Sequence, residues 1–514
     1  MLKKIKFIEF IYYFLIFVLF GISFYFSREY SIYNTDFIHW GYIFEQVFSY
    51  LNGNKLYEDI FLQYGEGQIV LLSIIDNFYK IDLYSLGIIS SLIFSLKFFL
   101  IFEICANIIR SRILSLICTL IVFFSITYSQ VPWPDLYSGF FLLIFFYFLI
   151  KNNDDQNLYL TIFTSFIFFL TIYFRNTYLL NFILSVFFYF AYETFFIKKR
   201  NLYIYKVFLF TTFFLIVYLI ILFLNENLRL WYVQGLGLSD QYFGVNELEF
   251  IDRFKNYFYY IARLIYHVVI PKNLPNLFFS LCILFNVIYL FFGNFFLKNN
   301  KTLDNSLIKF LCIYGLCGLV QLLSDYEIFR YINSSISLYI IFFYFIERIE
   351  IFSIRKKMLL ISFLAIIYSV NLIKFFPMSS HNHKIVNFPI ETYSVTNFKY
   401  FGKKKISKTY SDYFHNISSI ICNKNHIYNL TWDKTYNFLC NDVKTTHKYS
   451  IILRDPELLL RLQEGENINS RIILSSTKLD DLEQIKEFKL PRFFRYTESD
   501  TYMRFYPDTV YVYK

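Results

Sequence analysis

The chain has 514 residues, 56% of them hydrophobic and 23% aromatic, with a formal net charge of +10. Apolar runs long enough to cross a hydrocarbon core of roughly 30 Å recur through its first three quarters, which excludes an ordinary soluble enzyme and indicates a large membrane domain with a smaller soluble one. The charge does not point to nucleic acid, because membrane proteins collect Lys and Arg in cytoplasmic loops, and the 68 Phe and 47 Tyr follow the bias of an AT-rich genome.

Taken in chain order, spans are expected near 7–26, 84–106, 113–128, 136–150, 157–174, 177–195, 205–224, 276–297, 306–323, 331–346 and 358–375. The first follows Lys3, Lys4 and Lys6, is long, and lacks a small-residue cleavage site, so it reads as a retained span. A short apolar piece at 69–80, interrupted by Asp76, reads as re-entrant or interfacial. With about eleven spans, the basic residues of the short loops (Arg110, Arg112, Lys151, Lys198 to Arg200, Lys298, Lys301, Arg348 and Arg355 to Lys357) share one side. That side is the cytoplasm. The expectation is a multi-pass protein of a bacterial inner or plasma membrane, with its amino terminus inside and everything after Phe376 outside.

Between the first two spans, the outer loop 27–83 carries the densest signal. A helix start at Asn34 or Thr35 leads into an apolar face at Ile38, Tyr42, Phe44, Val47, Phe48 and Leu51, and Gly53 is a natural stop. A one-sided helix attached to a span belongs in the membrane interface. Asp36 sits at its amino end, where the helix dipole favours an ionised carboxylate. The acids, rings and glycines of Leu56-Tyr57-Glu58-Asp59 and Tyr64-Gly65-Glu66-Gly67 then read as the lid of a site at the membrane surface.

Residues 1–376 thus form the membrane domain, and 377–514 differ in kind. Strand-like runs at His426–Leu430, Tyr449–Leu453, Arg471–Ser475 and Thr509–Tyr513 alternate with a helix from Asp455-Pro456 to Gly465 and another over Asp480–Phe488. This predicts a soluble α/β domain. The seven cysteines show no CxxC pair and no zinc-like spacing. Cys105, Cys118, Cys282, Cys312 and Cys317 read as small core residues, while Cys422 and Cys440, both in the tail, are either a disulfide or two thiols.

The outer face collects Asp36, Asp59, Asp135, Arg175, Asp325, Glu327 and Arg330, none of which set the orientation. Each has a plainer reading: loop acids for Asp36 and Asp59, a helix cap for Asp135, a headgroup anchor for Arg175. Arg175, between two apolar runs, is unfavourable unless paired or solvated in a cavity. Arg330-Tyr331 open a late span, and His267 with Lys272 close an amphipathic stretch, Phe250–Ile270. His39 serves equally as a stacking or a catalytic residue. Such a set supports glycosyl transfer: a carboxylate accepts the acceptor's proton, and Arg and Lys hold a departing phosphate. A lipid-phosphate donor would lie in an apolar groove between spans. The sequence has no nucleotide fingerprint, P-loop or His/Cys metal motif.

The order of these features is one span, an early outer acid, an interfacial helix, Gly53-x-x-x-Tyr57-x-Asp59 and the Tyr64-Gly65 pair. Asp135 then opens the fourth span, Arg175 closes the fifth, and Arg330-Tyr331 open a late one. Over residues 1 to about 376 this resembles the GT-C superfamily of polyprenyl-phosphate-sugar-dependent glycosyltransferases, which includes protein O-mannosyltransferases and the aminoarabinose transferases of lipid A. The resemblance implies a GT-C-like membrane domain and an inverting transfer of a hexosyl or pentosyl group. The donor would be a polyprenyl-phosphate sugar, the acceptor a glycan, lipid or protein, and a divalent cation optional. It assigns the base to Asp36, with Asp59 as the second candidate. Asp135, Arg175, Lys272, Arg330, Tyr331, Tyr57, Tyr64 and His39 are then expected to bind substrate or its phosphate. Two departures stand out: Phe37 follows the early acid where many relatives have Glu, and Glu66 follows Tyr64-Gly65 where many have Pro. A polymerase or ligase of another membrane fold would concentrate its charge in one central outer loop. A lipid-linked glycan transporter would place charges inside its spans and repeat its halves, whereas Lys97 and Glu103 stand isolated.

Overall fold

The computed structural model describes residues 2–33, 37–125, 132–196, 201–237, 250–269, 274–296, 305–323, 332–348, 393–423, 427–431, 433–442, 472–476, 478–479, 482–489 and 509–514. The membrane part begins with α1 (Leu2–Tyr33), α2 (Phe37–Leu51), α3 (Gly67–Asp76), α4 (Leu83–Ile108) and α5 (Arg112–Ser125). It continues through α6 (Pro134–Lys151), α7 (Leu158–Phe174), α8 (Tyr178–Phe196), α9 (Leu202–Leu224) and α10 (Leu228–Trp231), which runs into a π-helical turn at Tyr232–Gly237. The last elements are α11 (Phe250–Val269), α12 (Leu274–Phe296), α13 (Asn305–Cys317), a 3-10 turn at Gly318–Leu323, and α14 (Ile336–Arg348). Among the described residues, six helices are long and apolar enough to cross a membrane, and four shorter apolar ones accompany them. The chain is a polytopic α-helical membrane protein. The expected span at 358–375 and the boundary at 376 lie outside the described residues.

Local chemistry sets where these helices start and stop. Asp82 Oδ1 accepts the Ser85 N–H at 2.6 Å while Ser85 Oγ accepts the Asp82 N–H at 2.7 Å, a reciprocal box that starts α4. Asn157 and Asn201 cap α7 and α9 with their side-chain oxygens, and Pro134 occupies the first turn of α6. Gly53, at φ +88°, follows the end of α2. Helix α1 packs along α4, α4 on α6, α6 on α7 and α7 on α9. Small hydroxyls let the first pair approach: Ser31 Oγ lies 2.9 Å from Ser91 Oγ, and Ser23 Oγ 3.2 Å from Ser95 Oγ. Phe145 stacks on Phe168 at 4.2 Å to fill the α6–α7 seam.

In the tail, β1 (Tyr393–Val395) pairs antiparallel with β2 (Lys405–Ser407), and Ser407 caps α15 (Lys408–Ile421). A second sheet runs β3 (Ile427–Asn429), β4 (Ile472–Ser475), β6 (Thr509–Tyr513), β5 (Gln484–Lys489), with β3 parallel to β4 and the other pairs antiparallel. A disulfide joins Cys422 to Cys440. One expectation is corrected: the helix expected over Asp480–Phe488 is not found in its described part, because Gln484–Lys489 form strand β5. The Lys and Glu of that segment favour helix in isolation. It lies at the sheet edge with only Phe488 buried, and the ladder to Thr509–Tyr513 overrides the local preference. The expected strand at 449–453 and helix at 456–465 lie outside the described residues. The tail docks on α2: a side chain at Gly41 would meet the Thr435 nitrogen at 2.6 Å, and Asn437 Nδ2 donates to Glu45 Oε1 at 2.6 Å.

Candidate active site

The loop after α2 is shaped residue by residue. Asp59 Oδ2 accepts the Lys55 N–H at 3.0 Å and so closes the turn that presents Tyr57. Tyr57 is buried and adopts φ +68°, a conformation that disfavours bulky side chains by about 1–3 kcal/mol and persists only where the surroundings impose it. The surroundings here are the π-turn. Gln234 donates to the Tyr57 carbonyl at 2.9 Å and accepts the Leu62 N–H at 2.9 Å, gripping both limbs of the loop. The Tyr57 hydroxyl reaches Tyr218 of α9, 3.2 Å away.

Further along, Gly65 and Gly67 press against Tyr173 and Phe174, the last residues of α7. Glu66, between them, does not cap α3, whose first residue follows it. Its buried carboxyl faces the Tyr218, Tyr173 and Tyr57 hydroxyls. Burial raises its pKa to about 7, and the three hydroxyls partly oppose the rise. Burial also pushes the Tyr57 phenol well above its ordinary value, so it remains a neutral donor.

Asp135, in the first turn of α6, and Arg175, just past the end of α7, form an ion pair with both side chains almost fully buried. Arg175 Nε donates to Thr177 Oγ1 at 2.9 Å, and the guanidinium carbon lies 5.7 Å from the centre of the Tyr64 ring. Tyr64 meets Trp133 edge-on at 5.1 Å, and Tyr42 of α2 meets the same indole at 5.9 Å. Gln68 Nε2 donates to the Pro132 carbonyl at 2.9 Å. Three distant segments, 64–68, 132–135 and 173–177, thus converge at one mouth of the bundle. Among the described residues, no three His, Cys, Asp or Glu side chains converge as a metal site would require.

Of the residues singled out in the sequence, Tyr64, Asp135 and Arg175 are brought together. Tyr57 lies in the Glu66 cluster, and Asp59 serves its own turn. Asp36, Lys272, Arg330 and Tyr331 lie outside the described residues, as does the side chain of His39, which belongs to α2. Sequence reasoning missed Tyr173, Tyr218 and Gln234 as partners, and gave Glu66 as a lid acid and a departure without assigning it a place in the site. Nothing marks one tyrosine among 47, and Gln234 carries no motif.

An apolar groove of about 420 Å³ lies between α8, α12 and α13, lined by Leu184, Phe188, Tyr192, Phe291, Leu316 and Val320 among others. No family model matches the chain, and no curated protein matches it. Among solved structures it is similar to the crystal structure of ArnT from Cupriavidus metallidurans bound to undecaprenyl phosphate. The identity is 8% and the TM-score 0.37, over 91% of this chain and 92% of that one.

Proposed function

We propose that this protein is an integral-membrane glycosyltransferase that moves a sugar from a polyprenyl-phosphate-linked donor to an acceptor outside the cytoplasm. The observation that carries the reading is the buried Asp135–Arg175 pair beneath Tyr64, which joins three of the features on which the resemblance to the GT-C superfamily rests. Arg175 offers a planar cation in a water-poor mouth, suited to the donor's phosphate and to the charge left on it after transfer. Asp36, immediately before α2, takes the proton of the acceptor hydroxyl, with Asp59 as the second candidate. The apolar groove beside α8 matches the chemistry of an isoprenoid chain. A disulfide in the tail fits an oxidising compartment, which supports an extracytoplasmic domain 377–514 and a cytoplasmic amino terminus.

The test uses a strain lacking the gene. A glycan or glycolipid product that disappears on deletion returns with the wild-type chain and stays absent with Asp36→Asn, inserted in the membrane at equal level. Loss of a positioned base lowers turnover about 10²- to 10⁴-fold. Full restoration by Asp36→Asn removes the assigned base. An unchanged glycan and glycolipid profile on deletion removes the transferase reading itself.

A further inference from the structure

Gln234 and Gly235 are neighbours in the π-helical turn Tyr232–Gly237, and they meet two different parts of the mouth. Turns of this kind are rare and often accompany functional sites. Gln234, itself buried, holds the loop after α2 at the Tyr57 carbonyl and at the Leu62 N–H, two residues before Tyr64. Just ahead of the turn, Trp231 meets the Tyr218 ring edge-on at 6.2 Å, beside the Tyr57 hydroxyl. Gly235 meets the other segment. A Cβ there would collide with the Asn176 amide nitrogen, which fills the place a larger residue would need. Asn176 is buried, and its Nδ2 has no hydrogen-bond partner among the described residues, so packing against the turn places that amide.

Asn176 is the middle residue of the link from Arg175 to Thr177, between α7 and α8. Arg175 has left helical geometry, at φ −150° and ψ 106°, and Gln321 Nε2 donates to the Thr177 carbonyl at 3.1 Å. Successive Cα atoms keep a fixed spacing, so a displacement of Asn176 carries to Arg175. We propose that the π-helical turn is the positioning element of the candidate phosphate site. Gln234 sets the loop that leads to Tyr64, Gly235 sets Arg175 through Asn176, and together they fix the ring and the cation relative to each other. Both are positioning residues that act through their neighbours. Guanidinium hydrogen bonds to a phosphate are directional, so a small shift of the link weakens them. This rests on the proposed function for the ligand, a polyprenyl phosphate held at Arg175.

The experiment measures binding of a polyprenyl monophosphate to the purified full-length protein in detergent, together with the thermal midpoint. The variants are Gly235→Ala, Asn176→Ala, the two combined, and Gln234→Met. Gly235→Ala is expected to weaken binding about tenfold while the midpoint stays near that of the wild type, because the obstacle is the end of a side chain. Asn176→Ala opens space opposite the glycine and weakens binding too. In the double variant the new methyl group fills that space, and most of the affinity returns. Gln234→Met keeps the length of the side chain, removes both hydrogen bonds, and should quicken amide exchange over residues 57–64. Unaltered exchange there overturns the part assigned to Gln234. Should Gly235→Ala fail to fold, the comparison of Asn176→Ala with the double variant decides. Affinity that falls only in step with the midpoint, with no recovery in the double variant, means that the turn merely packs, and overturns the proposal. Wild-type affinity in both single variants overturns the positioning role and leaves the transferase reading standing. A wild-type protein that binds no polyprenyl phosphate overturns the donor assignment and the proposal with it.

Discussion

Gly65 rests against the backbone carbonyl of Tyr173. A Cβ at position 65 would collide with that oxygen and lie 2.8 Å from the Phe174 carbonyl carbon. The contact seats the outer loop on the end of α7 directly before Arg175, and it brings the neighbouring Tyr64 ring to the guanidinium. The Tyr64-Gly65 pair therefore works as a unit, the ring covering a cation and the glycine allowing the approach.

Gly65→Ala is accordingly expected to lower stability by about 1–3 kcal/mol, because the obstacle is backbone and not the end of a flexible side chain. Thermal unfolding of the purified protein reads this directly. An unchanged midpoint would mean that the loop is not seated on α7.

The Glu66 carboxyl gives the protein a defined response to pH. Its folded value of about 7 stands above the ordinary 4.5, so the native state holds this proton more tightly than the unfolded chain does. The stabilisation is fully present below 4.5 and is lost as pH rises through 7; a difference of that size is worth on the order of 3 kcal/mol. Glu66→Gln, which keeps the neutral form at every pH, should match the wild type at pH 4 and exceed it in thermal midpoint at pH 8. A gap between the two proteins that does not change with pH would contradict this.

Much of the helical framework was legible because its signals are local. The apolar runs near 84–106, 136–150 and 157–174 coincide with α4, α6 and α7, and Gly53, read as a stop, follows the end of α2. Arg175 could be flagged because a charge between two apolar runs demands a partner, and Asp135 meets that demand. The identity of the partner is a tertiary fact, and the sequence could not supply it. Lys97 looked isolated for the same reason: Gly139 and Asn333 are distant in the chain and adjacent in space. Tyr173 and Tyr218 were hidden by the abundance of their own residue type. The misread segment, Gln484–Lys489, failed differently, since its composition favours helix and only pairing with β6 makes it a strand.

The Asp135–Arg175 pair should show strong energetic coupling. Removing one partner leaves a buried charge uncompensated, at a cost of about 3–5 kcal/mol, whereas removing both leaves none. Asp135→Asn and Arg175→Met are each expected to destabilise more than the double variant does, which a double-mutant cycle on thermal or denaturant unfolding would measure. Simple additivity would show that the two charges do not depend on each other. Arg175→Lys should in addition weaken donor binding, because a point charge replaces a planar fork.

The tail should hold the interfacial helix in place. Lys404 is fully buried, and its Nζ donates to the Ser31 carbonyl at 2.8 Å while lying 4.1 Å from the centre of the Trp40 ring. Ser31 is in the last turn of α1, where carbonyls lack helical partners and the dipole favours a cation. Asn437 holds Glu45 further along α2. One domain thus grips both sides of the link that carries Asp36. A hydrogen bond to a charged group contributes about 1.5–3 kcal/mol, so Lys404→Met should speed amide exchange across α2 by about 10- to 100-fold while exchange in the bundle interior stays as it was. Trp40 still packs against the methionine, so the expected change reports the lost charge–carbonyl bond more than lost volume. If exchange in α2 is unaltered, the tail merely lies beside the helix and its grip on the Asp36 segment must be abandoned.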